Sequence, residues 1–271
     1  IDANVALSQA FLDEFNIGLP HGTVAGAGRA DLHIDLPPGA APTFTLTSAL
    51  SGIGMSLPAL GWSKPQRSSG SLSVAGSLGA LPRIDRLAID TAGLQATGSL
   101  TLSSGGGLEQ ARFSRVRLGG WLDAPVTLQG RGRGAPVGVV IDGGTLDLRR
   151  ANFGSSGGQG GPMQIALDRL QISDGIALNG FAGEFSAEGG FSGRFSANVN
   201  GGAAVQGTVV PQEGRTAVRI VSDDAGGVFA AAGFLQNATG GALDLRLLPA
   251  GGEGVYDGSL TVKNTRVVGA P

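Results

Sequence analysis

The chain has 271 residues, 49 of them Gly and none Cys, with a formal net charge of -2. Without Cys there are no disulfides, thiolate nucleophiles or thiolate metal sites, and a nearly neutral chain offers no basic field for a nucleic-acid backbone. Hydrophobic residues still make up 41% and aromatics only 5%, so the surface to be buried is aliphatic and the chain is not a disordered Gly-rich linker.

Residues 1–15 open with helical spacing. Asp2 suits an N-cap, and Leu7, Phe11 and Phe15 recur every four residues. After that the period becomes two. Polar and apolar residues alternate in Thr43-Phe44-Thr45-Leu46-Thr47, Ser71-Leu72-Ser73-Val74, Arg86-Leu87-Ala88-Ile89 and Ser99-Leu100-Thr101-Leu102. The pattern returns in Val137–Ile141, Thr145–Leu148, Gln164–Leu167, Leu170–Ile172, Ala217–Ile220, Leu243–Leu247 and Leu260–Val262. Such alternation gives each strand one apolar and one polar face. Pro37-Pro38, Gly143-Gly144, Gly160-Gly161-Pro162, Gly201-Gly202 and Gly251-Gly252 punctuate the runs as turn and bulge signals. Roughly 14–18 short strands fit this template. One interruption reads as a second helix over residues 225–236, capped by Asp223 or Asp224 and stopped before Gly240-Gly241. Gly61-Trp62 and Gly120-Trp121 form a weak internal echo, read most simply as two similar strand ends.

Chemistry-bearing motifs fail on context. His21 and His33 are the only histidines and sit in a turn and a strand, which does not make a metal or catalytic site. Gly154-Ser155-Ser156-Gly157-Gly158 matches a nucleophile elbow in letters, but no helix can start at Gln159-Gly160-Gly161-Pro162. Gly130-Arg131-Gly132-Arg133-Gly134-Ala135 matches a dinucleotide fingerprint, yet Pro136 and a β-branched run follow in place of a helix N-terminus. Asp142 and Asp147 lack the spacing of a calcium loop. The reading is a non-enzyme without cofactor or metal. No apolar run reaches the roughly 18 residues of a membrane span, and the abrupt start at Ile1 and stop at Pro271 suggest a fragment, expected to be monomeric, whose anchor would lie outside it.

Several stretches together resemble one family. They are Gly18-Leu19-Pro20-His21-Gly22-Thr23-Val24, Ala59-Leu60-Gly61-Trp62-Ser63-Lys64-Pro65 and Arg117-Leu118-Gly119-Gly120-Trp121-Leu122-Asp123-Ala124-Pro125-Val126. To these add residues 143–154, Asp223-Asp224-Ala225-Gly226, Gly240-Gly241-Ala242-Leu243-Asp244-Leu245 and Tyr256-Asp257-Gly258-Ser259-Leu260. The chain resembles the YhdP-type branch of the AsmA-like superfamily of Gram-negative bacteria, with residues 150–271 similar to the start of the AsmA-like C-terminal region. The resemblance implies one all-β segment over residues 1–271: an elongated, strongly curved, mostly antiparallel sheet folded into a groove, with one or two short helices. It implies a periplasmic place, an inner-membrane anchor in the full-length protein, and phospholipid transport between inner and outer membranes in support of the cell envelope.

The residues suit that task. About 15 strands at ~4.8 Å span about 70 Å, and an acyl chain in water costs about 0.8 kcal/mol per CH₂, or ~25 kcal/mol for two chains of ~16 carbons. An aliphatic trough would remove most of that cost. Its expected lining is Phe44, Leu46, Leu72, Val74, Leu87, Ile89, Leu100, Leu102, Val139, Ile141, Leu146, Leu148, Ile165, Leu167, Leu170 and Ile172. Periodicity alone favours a closed β core packed from the same side chains; the resemblance favours the groove. The alternative function is a structural or adhesin-like, glycan-binding β-helix without lipid cargo.

Overall fold

The computed structural model describes residues 1–14, 22–79, 81–103, 107–132, 134–151, 159–252 and 254–269. Strands take up 63% of the chain and helices 6%, so the protein is all-β, with two short α-helices among the described residues. It divides into two compact units. The first runs from Ile1 to Val140 and includes Arg150; the second takes Ile141–Arg149 and the described residues from Gln159 onward.

In the first unit the strands are β1 (Asp2–Ser8), β2 (Val24–Asp35), β3 (Thr43–Ser48), β4 (Ile53–Leu57), β5 (Trp62–Lys64), β6 (Gly70–Ser77), β7 (Arg83–Thr91), β8 (Leu94–Leu102), β9 (Leu108–Leu118) and β10 (Leu122–Gln129). They form an antiparallel meander in the order β1-β2-β3-β6-β7-β8-β9-β10. The start of β2 also pairs with β4, which pairs with β5, so this hairpin branches off the main sheet. Strand β11 (Gly138–Asp142) lies across the boundary between the units.

The expected helix over residues 1–15 is corrected. Residues 2–8 are strand β1, and only α1 (Gln9–Glu14) is helical, with the Ser8 hydroxyl accepting from the Phe11 N–H. Val5 and Leu7 satisfy a two-residue period as well as Leu7 and Phe11 satisfy a four-residue one, and seven register pairs with β2 decide for the strand. Phe15 lies outside the described residues.

Helix α1 and the β4–β5 hairpin cover the apolar side of the sheet where it begins. Leu7, Val24, Ala30, Leu46, Leu50 and Ile53 are buried there, with Phe11, Leu12, Met55, Leu72, Val74 and Ile89 packed against them. Lys64 holds the hairpin's two flanking loops together. It is only 2% exposed, and its ammonium donates to the carbonyls of Leu50 (2.8 Å), Ile53 (2.8 Å), Pro65 (3.3 Å) and Ser68 (2.6 Å). Burial pulls its pKa below the usual lysine value, while the four carbonyl dipoles favour the charged form. The two Gly-Trp pairs meet at one end of the same sheet. Gly61, Gly119 and Gly120 are all left-handed. Trp62 donates from Nε1 to the Ala92 carbonyl (3.1 Å), and the neighbouring Gly93 carbonyl accepts from the Gly119 N–H (2.8 Å) just before Trp121. The echo is thus one device used twice: a left-handed Gly turns the chain so that the Trp folds inward.

In the second unit the strands are β12 (Thr145–Asp147), β13 (Gln159–Gln171), β14 (Ala177–Glu188), β15 (Ser192–Val199), β16 (Ala204–Gln212), β17 (Arg215–Ser222), β18 (Ala238–Thr239), β19 (Ala242–Pro249), β20 (Tyr256–Lys263) and β21 (Arg266–Val267). Strand β12 runs parallel to β13, and β13-β14-β15-β16-β17-β19-β20 follow as an antiparallel meander. A small separate pair joins β18 to β21. This back-and-forth path is not the parallel coil of a β-helix.

Helix α2 (Ala225–Ala231) is shorter than the 225–236 expectation. Asp224 caps it, accepting from the Gly227 N–H at 2.9 Å. Left-handed Gly233 ends it: the Gly233 N–H reaches Ala230 and the Phe234 N–H reaches Phe229, the double bond of a Schellman stop. Asn200 ties this helix to the sheet, its amide oxygen accepting from the Ala177 N–H and its amide nitrogen donating to the Gly175 and Ala231 carbonyls, each at 2.8 Å.

Replacing Lys64 strands the buried Leu50 and Ile53 carbonyls. Lys64→Met is expected to cost about 3 kcal/mol, read as a lowered urea midpoint, whereas Lys263→Met on exposed β20 is expected to leave the midpoint in place.

Candidate functional site

The register lines the apolar residues of the first unit into three cross-strand rows on one face. The first is Ile34-Phe44-Gly76-Ile84-Leu100-Ala111-Leu128. The second is Leu32-Leu46-Val74-Leu87-Gly98-Phe113-Val126, and the third is Val5-Ala30-Ser48-Leu72-Ile89-Ala96-Val116-Ala124. Bulges keep the rows aligned. Ile84 and Leu87 are three apart in sequence, yet face Leu100 and Gly98 because Asp85 and Arg86 share one position opposite β8. Gly98 makes the bend possible, since a Cβ there would lie 2.2 Å from the Arg112 carbonyl.

Seven of the expected lining residues therefore share one surface: Phe44, Leu46, Leu72, Val74, Leu87, Ile89 and Leu100, with Leu102 opposite Leu108 at the end of β8. Leu46 is buried and the others are half-buried. In β11, Val139 is half-buried and Ile141 buried. In the second unit Leu146 faces Leu170, Leu167 faces Phe181 and Ile165 faces Gly183. Leu148 and Ile172 stand just past their strands and are 40% and 38% exposed.

The sequence reading missed half of both surfaces. Phe113 and Val116 were hidden because the bulge at Ser114 breaks the alternation, whereas Val126 and Leu128 alternate without interruption on β10 and were passed over. The larger omission is in the second unit, whose face is not purely aliphatic. Phe195 lies between Gly183 and Gly207 in the row Ile165-Gly183-Phe195-Gly207-Ile220-Leu245-Leu260. Phe185 lies next to Gly193 in the row Met163-Phe185-Gly193-Val209-Val218-Leu247. The rings stack: Phe181 and Phe185 have centroids 6.1 Å apart, Phe181 and Phe195 5.1 Å, and Phe185 and Phe191 5.2 Å. Phe185 and Phe195 occupy the space their glycine neighbours leave. A Cβ on Gly207 would sit 2.1 Å from the Phe195 ring, and one on Gly193 would sit 2.3 Å from the Glu184 carbonyl. Phe spaced four apart with Gly between them, as in Phe181-Ala182-Gly183-Glu184-Phe185 and Phe191-Ser192-Gly193-Arg194-Phe195, was the available signal.

The opposite faces carry ion pairs. Asp123 accepts from Arg115 through both oxygens, each at 2.7 Å, and from Arg117 at 3.1 Å. Asp244 is bracketed in the same way by Arg219 and Arg246. Hydrogen bonds from Arg115, then Arg117, hold the Asp123 pKa down to about 2, and those from Arg219, then Arg246, do the same for Asp244. His33 meets Asp2 at 2.7 Å in the open. The Gly154–Gly158 stretch and Arg133 lie outside the described residues. Among the described residues no three His, Asp or Glu side chains are grouped to hold a metal ion, and no helix is long and apolar enough to cross a membrane.

Comparison with protein-family models, curated proteins and solved structures returns no match.

Two outcomes follow from this geometry. Gly193→Ala is expected to cost about 1–3 kcal/mol by overpacking, while Gly175→Ala, with open space around its Cβ, leaves the thermal midpoint unchanged. Asp123→Asn is expected to lose no more than about 1 kcal/mol at pH 7, the exposed pair being screened. A carboxylate with a depressed folded pKa stabilises above its ordinary value of 3.8, and that contribution fades as pH falls through about 2. Denaturation of the two proteins should therefore differ at pH 7 and coincide below about pH 2.

Proposed function

We propose that the chain is a non-catalytic carrier surface for phospholipid acyl chains, a segment of an AsmA-like, YhdP-type protein working in the periplasm between inner and outer membranes. The observation that carries this reading is the set of apolar rows in the first unit. They continue past the cover of α1 and the β4–β5 hairpin, where Leu87, Leu100, Phe113 and Val116 stay partly exposed. An apolar surface left in contact with water is unfavourable by about 25 cal/mol per Å², and a hydrocarbon chain laid across it removes that contact from both partners. Aliphatic side chains in series bind hydrocarbon without a directional contact, so no single position holds a chain more strongly than the next. The polar faces, with their Arg–Asp–Arg brackets, stay in water. The partners on this reading are the acyl chains and the two membranes.

Protein purified from bacteria is expected to carry phospholipid, detected by organic extraction and mass spectrometry. The Leu87→Asp and Leu100→Asp variants, both at half-exposed positions, should fold with an unchanged circular dichroism spectrum. They should carry about tenfold less lipid, in line with the cost of setting a charge against hydrocarbon. Lipid-free wild-type protein that also ignores a fluorescent fatty acid would sink the proposal.

A further inference from the structure

The polar face of the first unit holds a depression of about 130 Å³ between β7, β8 and β9, lined by Arg83, Asp85, Ser99, Thr101, Gln110 and Arg112, with Ile84 and Leu100 completing it. We propose that it binds a phosphate oxyanion, either free or esterified in a lipid headgroup. Its six polar residues lie on the face opposite the apolar rows, while Ile84 and Leu100, which also border it, belong to the first of those rows; the site shares strands with the acyl-chain surface but needs no acyl chain to form.

The register builds it. Arg83 pairs with Thr101 and Thr101 with Gln110, while Ser99 pairs with Arg112. Residues two apart along a strand share a face, so all six polar side chains stand on one side. The β7 bulge at Asp85–Arg86 and the β9 bulge at Ser114 bend the sheet beside it. The volume is that of about four waters, enough for an oxyanion that has shed part of its hydration.

The charges leave an anion wanted. Arg83 is paired with Asp85 at 3.1 Å, both more than half exposed. Arg112, two strands away, has no carboxylate partner among the described residues, and neither does Arg86 on the same face. Farther along β9, Arg115 and Arg117 share the single Asp123. A chain of net charge -2 thus concentrates positive charge here. A guanidinium fork matches phosphate through two parallel N–H donors. Ser99 and Thr101 on β8 stand between the strands that carry the two arginines, Gln110 neighbours Arg112 on β9, and the Thr101 hydroxyl is engaged only by a long 3.5 Å contact to the Gln110 carbonyl. Asp85 plays the opposite part: it already occupies Arg83, so an incoming phosphate displaces it, which keeps the affinity low and salt-sensitive.

The test is a titration of the intact protein with inorganic phosphate at low ionic strength, followed by the arginine Nε–H signals in NMR. The expected result is a saturable shift with a dissociation constant of roughly 1–10 mM. Arg112→Gln should weaken it about fivefold and Asp85→Asn should tighten it about threefold, the two opposite signs separating a site from lost folding. Arg194→Gln, in the second unit, serves as the control and should change nothing. Glycerol phosphate and phosphatidylglycerol-containing vesicles then identify the source. An Arg112-dependent response to vesicles supports the headgroup, and one confined to soluble phosphates supports the free ester. A wild-type titration that stays linear, or Arg112→Gln and Arg194→Gln variants that titrate alike, overturns the site.

Discussion

Leu46 faces Val74 across β3 and β6, and Val74 faces Leu87 across β6 and β7. A slip of one residue at either pairing would turn a whole strand over, sending its aliphatic side chains into the polar face and its Thr and Ser residues into the apolar one. Every other feature of the first unit depends on this register holding over eight strands. Bulges would be expected to break it, and here they preserve it. Each inserts one residue on the solvent side, so that Ile84 and Leu87, or Phe113 and Val116, remain on the apolar side while the sheet bends. Gly98 is what lets the backbones close over such a bend.

The two units meet the same problem, a one-layer sheet with a greasy side, by different means. The first covers its beginning with a helix and a hairpin, and fixes the hairpin with a buried ammonium in a cage of carbonyls. A lysine is suited to this because its three donors can satisfy loop carbonyls that no strand reaches. The second fills its face with Phe rings laid over glycines and pins α2 by one asparagine amide. On the polar side both use one aspartate between two arginines, which offsets repulsion between neighbouring cations without burying any charge.

Alternation made the strands of the sheet legible in the sequence, because period two survives wherever both ends of a strand are in register. It failed where two periods coincide, as at Val5, Leu7 and Phe11, and where a bulge adds a residue, as at Ser114. The second helix was legible at its start, since Asp224 is a capping residue. Its end was overrun because Gly233 reads as a weak helix residue until its left-handed geometry is seen. Lys64 carried no signal: in Gly61-Trp62-Ser63-Lys64-Pro65 it looks like a surface lysine, and only the fold folds its tail inward. The Phe–Gly contacts are made across two strands, so along one strand they leave only the faint spacing of Phe four apart with Gly between.

The distribution of burial along the rows bears on what the apolar face is for. In a closed sandwich, opposed sheets interdigitate and their facing side chains lose nearly all contact with water. In the first unit the larger side chains reach that state beneath the cover, at Leu7, Leu46 and Ile53, and elsewhere along the rows it is the small Ala96, Ala111 and Ala124 that do. Along β7 to β9 the same rows stay partly exposed at Leu87, Leu100, Phe113 and Val116, while small Ala96 and Ala111 sink below their neighbours. A surface of this kind is too apolar to be an ordinary solvated face and too open to be a core. Low aromatic content keeps it smooth, and the absence of charged side chains from the three rows keeps it uniform. On the proposed carrier reading uniformity matters more than depth, since each CH₂ that leaves one contact would enter an equivalent one and the free energy would stay nearly level along the path.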